Sequence, residues 1–220
     1  MSKNWILFLL LASINMALQA QTAPRFYAAI KEFNRADSVS PISPNCILFT
    51  GSSSFTKWKD LNVAFPGYPV ANRAFGGSTL LDLIRYSYEV ILPYKPKQVV
   101  IYCGENDLAQ ADSISAAELL LRVKTLFSII RINLPNTVID YVSIKPSPVR
   151  MSIQHKVKDA NRLIKSFIAH QKNAHFIDLY DAMLDKEGHM REELYVSDRL
   201  HMKPEGYAIW QKKIAPFLLK

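Results

Sequence analysis

The chain has 220 residues, of which 49% are hydrophobic and 21% are charged, and these values exclude a disordered protein. This length predicts one globular domain with a substantial core. The formal net charge is +8, but the lysines and arginines are spread along the chain, so we expect a solvated basic surface and no nucleic-acid binding.

Residues 1–20 have the pattern of a secretory signal peptide. Lys3 provides the positive start, the mostly apolar run Trp5–Leu18 is short for a membrane span, and Gln21 is the expected first mature residue. The alternative is an uncleaved N-terminal anchor. We therefore predict a signal peptide at 1–20, a single domain at 21–220 without a membrane span, and a periplasmic or secreted protein.

Strand-like apolar runs alternate with helical patterns along the rest of the chain. The predicted strands are Cys46–Thr50, Pro69–Ala74, Gln98–Cys103, Thr137–Ser143 and Ala174–Ile177. The predicted helices are Pro24–Asp37, Leu80–Tyr88, a segment that begins after Ser115, His155–His170 and a segment that opens at Pro204. This alternation predicts a three-layer α/β/α sandwich around a mainly five-stranded parallel sheet.

Glycine-containing turns follow the first three predicted strands. They are Gly51-Ser52-Ser53-Ser54, Gly76-Gly77-Ser78-Thr79 and Gly104-Glu105-Asn106-Asp107. In such sheets the site lies at the carboxyl ends of the strands, where a serine hydroxyl, the bare N–H of Gly77 and the amide of Asn106 could serve as nucleophile and oxyanion donors. Glu105 or Asp107 could accept hydrogen bonds behind them. Each turn, taken alone, is more typical of a helix cap or a polar turn.

Asp198 stands three residues before His201, just ahead of the last predicted helix. This spacing can set a carboxylate against the imidazole, as a general base and its orienting group require, although a surface ion pair or a helix cap is the alternative. The runner-up is His189, with Asp185 four residues before it. The chain contains no HExxH, CxxC, GxxxxGK[ST] or GxGxxG motif, so we expect no metal site and no nucleotide cofactor.

The joint order of these motifs resembles the SGNH (GDSL-like) hydrolase family. The resemblance covers about Ile47 to Trp210 and is carried by the stretches ILFTGSSSFTKW, NRAFGGSTLLDL, VVIYCGENDLA and SDRLHMKPEGY. It implies a flavodoxin-like fold, the catalytic triad Ser53-His201-Asp198, and an oxyanion hole formed by Ser53, Gly77 and Asn106. It also selects Ser53 from the three adjacent serines. The chain departs from the family at Ser52, where the motif that names the family has Asp.

The resemblance implies a serine esterase that needs no cofactor. Together with the export predicted from residues 1–20, it implies an exported enzyme that hydrolyses short-chain carboxylic esters, including acetyl groups on carbohydrate. Its expected partner is therefore a small-molecule or carbohydrate ester. Two alternatives remain open: a lysophospholipase or acyltransferase on the same triad, and a catalytically silent carbohydrate-binding relic. Trp58, Phe75 and Tyr102 lie near the motif loops, where they would either contact a sugar or acyl group or pack in the core.

Overall fold

Five parallel strands form the sheet at the centre of the protein. The computed structural model describes residues 23–110 and 114–220, so the predicted signal peptide lies outside the described residues. The strands are β1 (Ile47–Gly51), β2 (Val70–Asn72), β3 (Gln98–Tyr102), β4 (Val138–Val142) and β5 (Ala174–Ile177). Their order is β2-β1-β3-β4-β5, which confirms the predicted parallel sheet.

The register between β1 and β3 determines which turns meet at the edge of the sheet. Gly51 is paired with Tyr102, so the two strands end level and the segments that follow them leave the sheet side by side. The chain passes from β1 to β2 on one side and resumes with β3 on the other. This reversal opens a crevice at the carboxyl ends of β1 and β3.

Helices cover both faces of the sheet. They are α1 (Tyr27–Val39), α2 (Ser53–Thr56), α3 (Leu61–Ala64), α4 (Leu80–Arg85), α5 (Ser87–Val90), α6 (Glu105–Gln110), α7 (Ala116–Asn133), α8 (Gln154–Ile168) and α9 (Pro204–Ile214). The single helix predicted over Leu80–Tyr88 is therefore wrong, because Tyr86 leaves the helical conformation, with φ −98° and ψ 11°, and separates α4 from α5. Among residues 23–110 and 114–220, no helix combines the length and the apolar character needed to cross a membrane.

Alternate residues of the strands point into two separate cores. Leu48 and Val99 belong to the core on one face of the sheet, whereas Phe49 and Val100 belong to the core on the other face. Trp210 of α9 is fully buried in the second core. Because both faces are covered, the central strands β1 and β3 are buried along their whole length, and Ile47–Phe49 and Val99–Tyr102 appear in the sequence as continuous hydrophobic runs.

Gly51 ends β1 at a position where only glycine fits. Its φ is +131°, and a Cβ built there would lie 1.9 Å from the carbonyl oxygen of Tyr102. We expect Gly51→Ala to lower the free energy of unfolding by at least about 3 kcal/mol, because it combines backbone strain with an unavoidable clash. Urea unfolding followed by circular dichroism measures this loss.

The matched control for this substitution is Gly67→Ala. Gly67 also has a positive φ, +80°, but a Cβ there meets no heavy atom within 4 Å. The control isolates the backbone strain, which costs about 1–2 kcal/mol. Equal losses at Gly51 and Gly67 would contradict the clash as the cause.

Candidate active site

Ser53 lies at the start of α2, directly past the end of β1. Ser52 is extended, with φ −100° and ψ −165°, and donates its N–H to the carbonyl of Tyr102 at 2.9 Å. The carbonyl of Gly51 accepts from the N–H of Phe75 at 2.9 Å and from Ser78 Oγ at 3.0 Å. The end of β1 is thereby attached to β3 on one side and to the segment after β2 on the other, which fixes the half-buried Ser53.

The Ser53 hydroxyl, the His201 ring and the Asp198 carboxylate form a continuous hydrogen-bonded chain. Ser53 Oγ lies 2.9 Å from His201 Nε2, and His201 Nδ1 lies 2.6 Å from Asp198 Oδ2. A carboxylate can only accept, so Nδ1 carries the proton and Nε2 is left as the acceptor that faces the serine. The hydroxyl is thus placed against a base that can take its proton.

The Asp198–His201 pair is set by a tight local turn. Asp198 Oδ1 accepts from the N–H groups of Leu200 at 2.9 Å and His201 at 2.8 Å, and Arg199 between them adopts a φ of +54°. Partial burial works to raise the pKa of the Asp198 carboxyl, but the hydrogen bonds from the His201 backbone and ring outweigh burial. The pKa of Asp198 is therefore well below its usual range, and the group stays ionised beside the imidazole.

Two backbone N–H groups, that of Ser53 itself and that of Gly77 in the neighbouring glycine turn, are candidates for binding an oxyanion. Within the described part of the chain, the N–H groups of Ser53 and Gly77 donate to no other residue. A Cβ placed on Gly76 would lie 3.8 Å from Ser53 Cβ, so this turn passes directly beside the serine. Gly77 has a φ of +83°, and its carbonyl accepts from Arg25 Nη2 at 3.1 Å.

Asn106 lies behind the serine turn, in α6. Its Nδ2 donates to Ser52 Oγ at 2.8 Å and to the carbonyl of Ser78 at 3.0 Å, so both amide hydrogens have acceptors. Donation to an oxyanion would require one of these hydrogens to be shared or redirected. Ser52 thus provides, through its hydroxyl, an acceptor for Asn106 at the position where the family motif has Asp.

Asp107 fixes the position of the Gly77 turn relative to the helix that carries Asn106. Its carboxylate accepts from the N–H of Leu80 at 3.0 Å and 3.1 Å and from Arg122 Nη1 at 2.8 Å. Burial raises the pKa of Asp107, although Arg122 and the Leu80 N–H act against that shift. This contact joins α6 to the first residue of α4, directly after the Gly77 turn.

Comparison with known proteins assigns a family to this fold and site. Residues 17–209 match the model of the GDSL-like Lipase/Acylhydrolase family. The chain belongs to this family. It is therefore a hydrolase, and the family predicted from the four motifs is confirmed. No curated protein matches the chain.

Solved structures of acylhydrolases and esterases share the fold at low sequence identity. A Streptococcus pneumonia protein with the provisional name platelet activating factor is 21% identical, with a TM-score of 0.77, over 99% of this chain and 100% of that chain. A GDSL-like lipase from Bacteroides thetaiotaomicron is 18% identical, with a TM-score of 0.73, over 86% of this chain and 96% of that chain. An acetyl-xylooligosaccharide esterase mutant from Geobacillus is 17% identical, with a TM-score of 0.63, over 81% of this chain and 97% of that chain.

Two basic residues at the candidate site of this acylhydrolase are not among the site residues predicted from the sequence. Lys145 and Arg150 follow β4, and they contact Glu105 and Asn106 of α6. The rule that sites lie at the carboxyl ends of parallel strands would have identified this segment, had it been applied to the fourth strand as well as to the first three.

Other Asp–His pairs of this acylhydrolase lie away from the serine turn. His189 Nδ1 is 3.4 Å from Asp185 Oδ2 in an exposed loop, so the runner-up pair is a surface contact. His175 Nδ1 is 2.8 Å from Asp140, a buried aspartate that also accepts from Gln98 within the sheet. The Asp–His distance alone therefore does not distinguish the site, whereas the contact with Ser53 Oγ does.

The three aromatic residues near the motif loops are core residues. Trp58 and Phe75 are 3% and 2% exposed, and Tyr102 is 2% exposed, so none of them offers a ring face to a ligand. Core packing, the second of the two predicted roles, is the one that the structure supports. Over residues 23–110 and 114–220, no group of three or more His, Cys, Asp or Glu side chains could hold a metal ion.

Proposed function

We propose that this acylhydrolase is an exported serine esterase that hydrolyses short-chain carboxylic esters, including acetyl esters of carbohydrates. The proposed triad is Ser53-His201-Asp198, and the proposed oxyanion hole consists of the N–H groups of Ser53 and Gly77 with the Asn106 amide. The observation that carries the proposal is the hydrogen-bonded chain from Ser53 Oγ through His201 to Asp198, with distances of 2.9 Å and 2.6 Å.

In the acylation step, Ser53 Oγ attacks the ester carbonyl while His201 Nε2 accepts its proton. Asp198 stabilises the imidazolium that forms and holds its ring in the correct tautomer. The carbonyl oxygen becomes an oxyanion, which the N–H groups of Ser53 and Gly77 bind. His201 then gives its proton to the leaving alcohol, and an acyl group remains on Ser53 Oγ.

Water releases the acyl group by the same route in reverse. His201 Nε2 takes a proton from water, the hydroxyl attacks the acyl carbonyl, and the second oxyanion occupies the same donors. Ser53 Oγ recovers its proton from His201 as the carboxylic acid leaves. No cofactor is needed at any step, because every proton moves between Ser53, His201, the alcohol and water.

The choice of short acyl groups rests on the open edge of the sheet and on the solved structures. In the described part of the chain, β1 and β3 lead directly into the short helices α2 and α6, with no inserted lid between them. Several structures with this fold are acetylxylan esterases, two of which are described as catalytic mutants with a serine or a histidine replaced by alanine. These proteins support an acetyl ester of a carbohydrate as the first substrate to test.

A fluorophosphonate probe tests the proposed nucleophile directly. We expect the probe to label the protein once and peptide mass spectrometry to place the label on Ser53, because only a serine activated by a base reacts with such probes at neutral pH. Denatured protein is the control, since it contains the same serines without His201 beside them. Absence of labelling in the folded protein would favour the catalytically silent relic and contradict the esterase.

An ester panel separates the remaining alternatives on the same triad. It comprises acetyl-xylan, p-nitrophenyl acetate, p-nitrophenyl octanoate and lysophosphatidylcholine. We expect the acetyl esters to give the highest kcat/KM. Faster hydrolysis of lysophosphatidylcholine would favour the lysophospholipase, and acyl transfer to an added alcohol in preference to water would favour the acyltransferase.

A further inference from the structure

A buried ionic cluster lies next to Asn106, and the mechanism above does not use it. Lys145 Nζ donates to Glu105 Oε2 at 2.9 Å and to Ser147 Oγ at 2.5 Å, and Tyr102 Oη donates to the same Glu105 oxygen at 2.8 Å. Lys145 is fully buried and Glu105 is 6% exposed. Burial works to raise the pKa of Glu105, but Lys145 and Arg150 outweigh it and lower that pKa, so the carboxylate stays ionised.

This cluster is a costly way to stabilise a fold. Removing two charged groups from water often costs more than their attraction returns, and apolar residues of similar size would serve a core at least as well. The cost is increased here because Glu105 Oε1 is buried without a hydrogen-bond partner among the described residues. That oxygen faces Arg150 Nη1 at 3.4 Å, close enough for an ion pair.

Arg150 connects this cluster to Asn106. Its Nη2 donates to Asn106 Oδ1 at 2.8 Å while Nη1 faces Glu105, so one planar guanidinium contacts two consecutive residues of α6. A hydrogen bond from a charged donor is roughly twice as strong as a neutral one. Rotation of the Asn106 amide would turn its N–H2 towards the Arg150 cation, which is unfavourable, so Arg150 keeps Nδ2 on the side of Ser52.

We infer that Arg150 is a positioning residue for ester hydrolysis, and that it acts by holding the Asn106 amide with its N–H2 group beside the Ser52-Ser53 turn. The buried Glu105–Lys145 pair anchors the guanidinium in the orientation that this contact requires. Both Nδ2 hydrogens of Asn106 already have acceptors. Asn106 can therefore share one of them with an oxyanion only while its amide group stays beside the Ser52-Ser53 turn. This inference rests on the proposed function, because it concerns an oxyanion donor of that reaction.

The test is a set of Arg150 variants assayed with p-nitrophenyl acetate. We expect Arg150→Met to lower kcat about tenfold to a hundredfold, less than the 10²–10³ expected for loss of the whole donor, while KM changes less than threefold. Arg150→Lys keeps a charged donor and should recover part of the lost kcat. Parental kcat in Arg150→Met would overturn the inference.

A double-mutant cycle distinguishes positioning from a merely structural role. If Arg150 acts through Asn106, then Arg150→Met should cost less than threefold in kcat when it is added to Asn106→Ala. The same fold-loss in both backgrounds would show that Arg150 acts independently of Asn106, and would overturn the inference. If Arg150→Met does not fold, Arg150→Gln takes its place in the cycle and is judged by the same two outcomes.

Arg73→Met is the matched control for loss of a partly buried arginine–carboxylate pair. The Arg73 guanidinium pairs with Asp37 near the edge strand β2, and we expect its loss to leave kcat unchanged. Ser53→Ala distinguishes a failure of the proposed esterase function from a failure of the role inferred for Arg150. Esterase activity that survives Ser53→Ala would refute the proposed function, whereas an inactive Ser53→Ala beside a fully active Arg150→Met would refute only the role of Arg150.

Discussion

Ser53→Ala is expected to lower esterase kcat by about 10⁴- to 10⁶-fold while the fold stays intact. The substitution removes the oxygen that His201 Nε2 contacts at 2.9 Å and leaves the remaining hydrogen bonds of the site in place. The oxyanion donors alone would retain a residual rate above that of water. Initial rates with p-nitrophenyl acetate measure the loss, and thermal unfolding checks the fold.

Ser54→Ala is the matched control, because it removes a hydroxyl from the next residue of the same helix. Ser54 is buried, at 3% exposure, and its side chain forms a hydrogen bond with Tyr102. We expect this variant to keep its kcat within about threefold, since its hydroxyl does not reach the base. An active Ser53→Ala, or an inactive but folded Ser54→Ala, would place the nucleophile elsewhere.

Asp198→Asn is expected to have the second largest effect, a loss of about 10⁴-fold in kcat. The amide can donate to His201 Nδ1, and this favours the tautomer whose proton is on Nε2, where it would face the Ser53 hydroxyl as a donor. The serine would then lose its proton acceptor although no atom has moved far. Rates with p-nitrophenyl acetate near neutral pH measure the loss.

Asp185→Asn is the control for the same chemical change at another Asp–His pair. Asp185 and His189 are exposed and 3.4 Å apart, and His189 does not contact Ser53. We expect this variant to keep the parental kcat. An equal loss at both aspartates would mean that the substitution acts through stability, and unchanged activity in Asp198→Asn would remove Asp198 from the triad.

The lowered pKa of Asp198 also predicts how the stability of the protein depends on pH. A folded pKa below the ordinary value of 3.8 means that the carboxylate contributes stability above that value and loses it as pH falls through the folded pKa. The difference in free energy of unfolding between the parent and Asp198→Asn should therefore stay constant from neutral pH down to about 5, and shrink in more acidic solution. Urea titrations across this range would reveal the trend.

Much of the fold was predictable because its signals are local. The strands predicted at Gln98–Cys103 and Ala174–Ile177 correspond to β3 (Gln98–Tyr102) and β5 (Ala174–Ile177). β3 is buried along its whole length, and such a strand stands out in the sequence as a run of apolar residues. The boundary between α4 and α5 was missed because Tyr86 leaves the helix without a proline or glycine to mark the break.

The sequence by itself determined the Asp198–His201 pair, because this pair depends on hydrogen bonds and backbone angles within one short turn. It also located the glycine turns, although the need for glycine at position 51 comes from the distant carbonyl of Tyr102. The resemblance to the family already selected Ser53 from the three adjacent serines, but only the tertiary structure brings His201 to Ser53, 148 residues away. The tertiary structure also brought Arg150, which follows β4, to Asn106, which follows the neighbouring strand β3. Such contacts depend on strand order and register, which result from the packing of the whole core, and no short window of sequence contains that information.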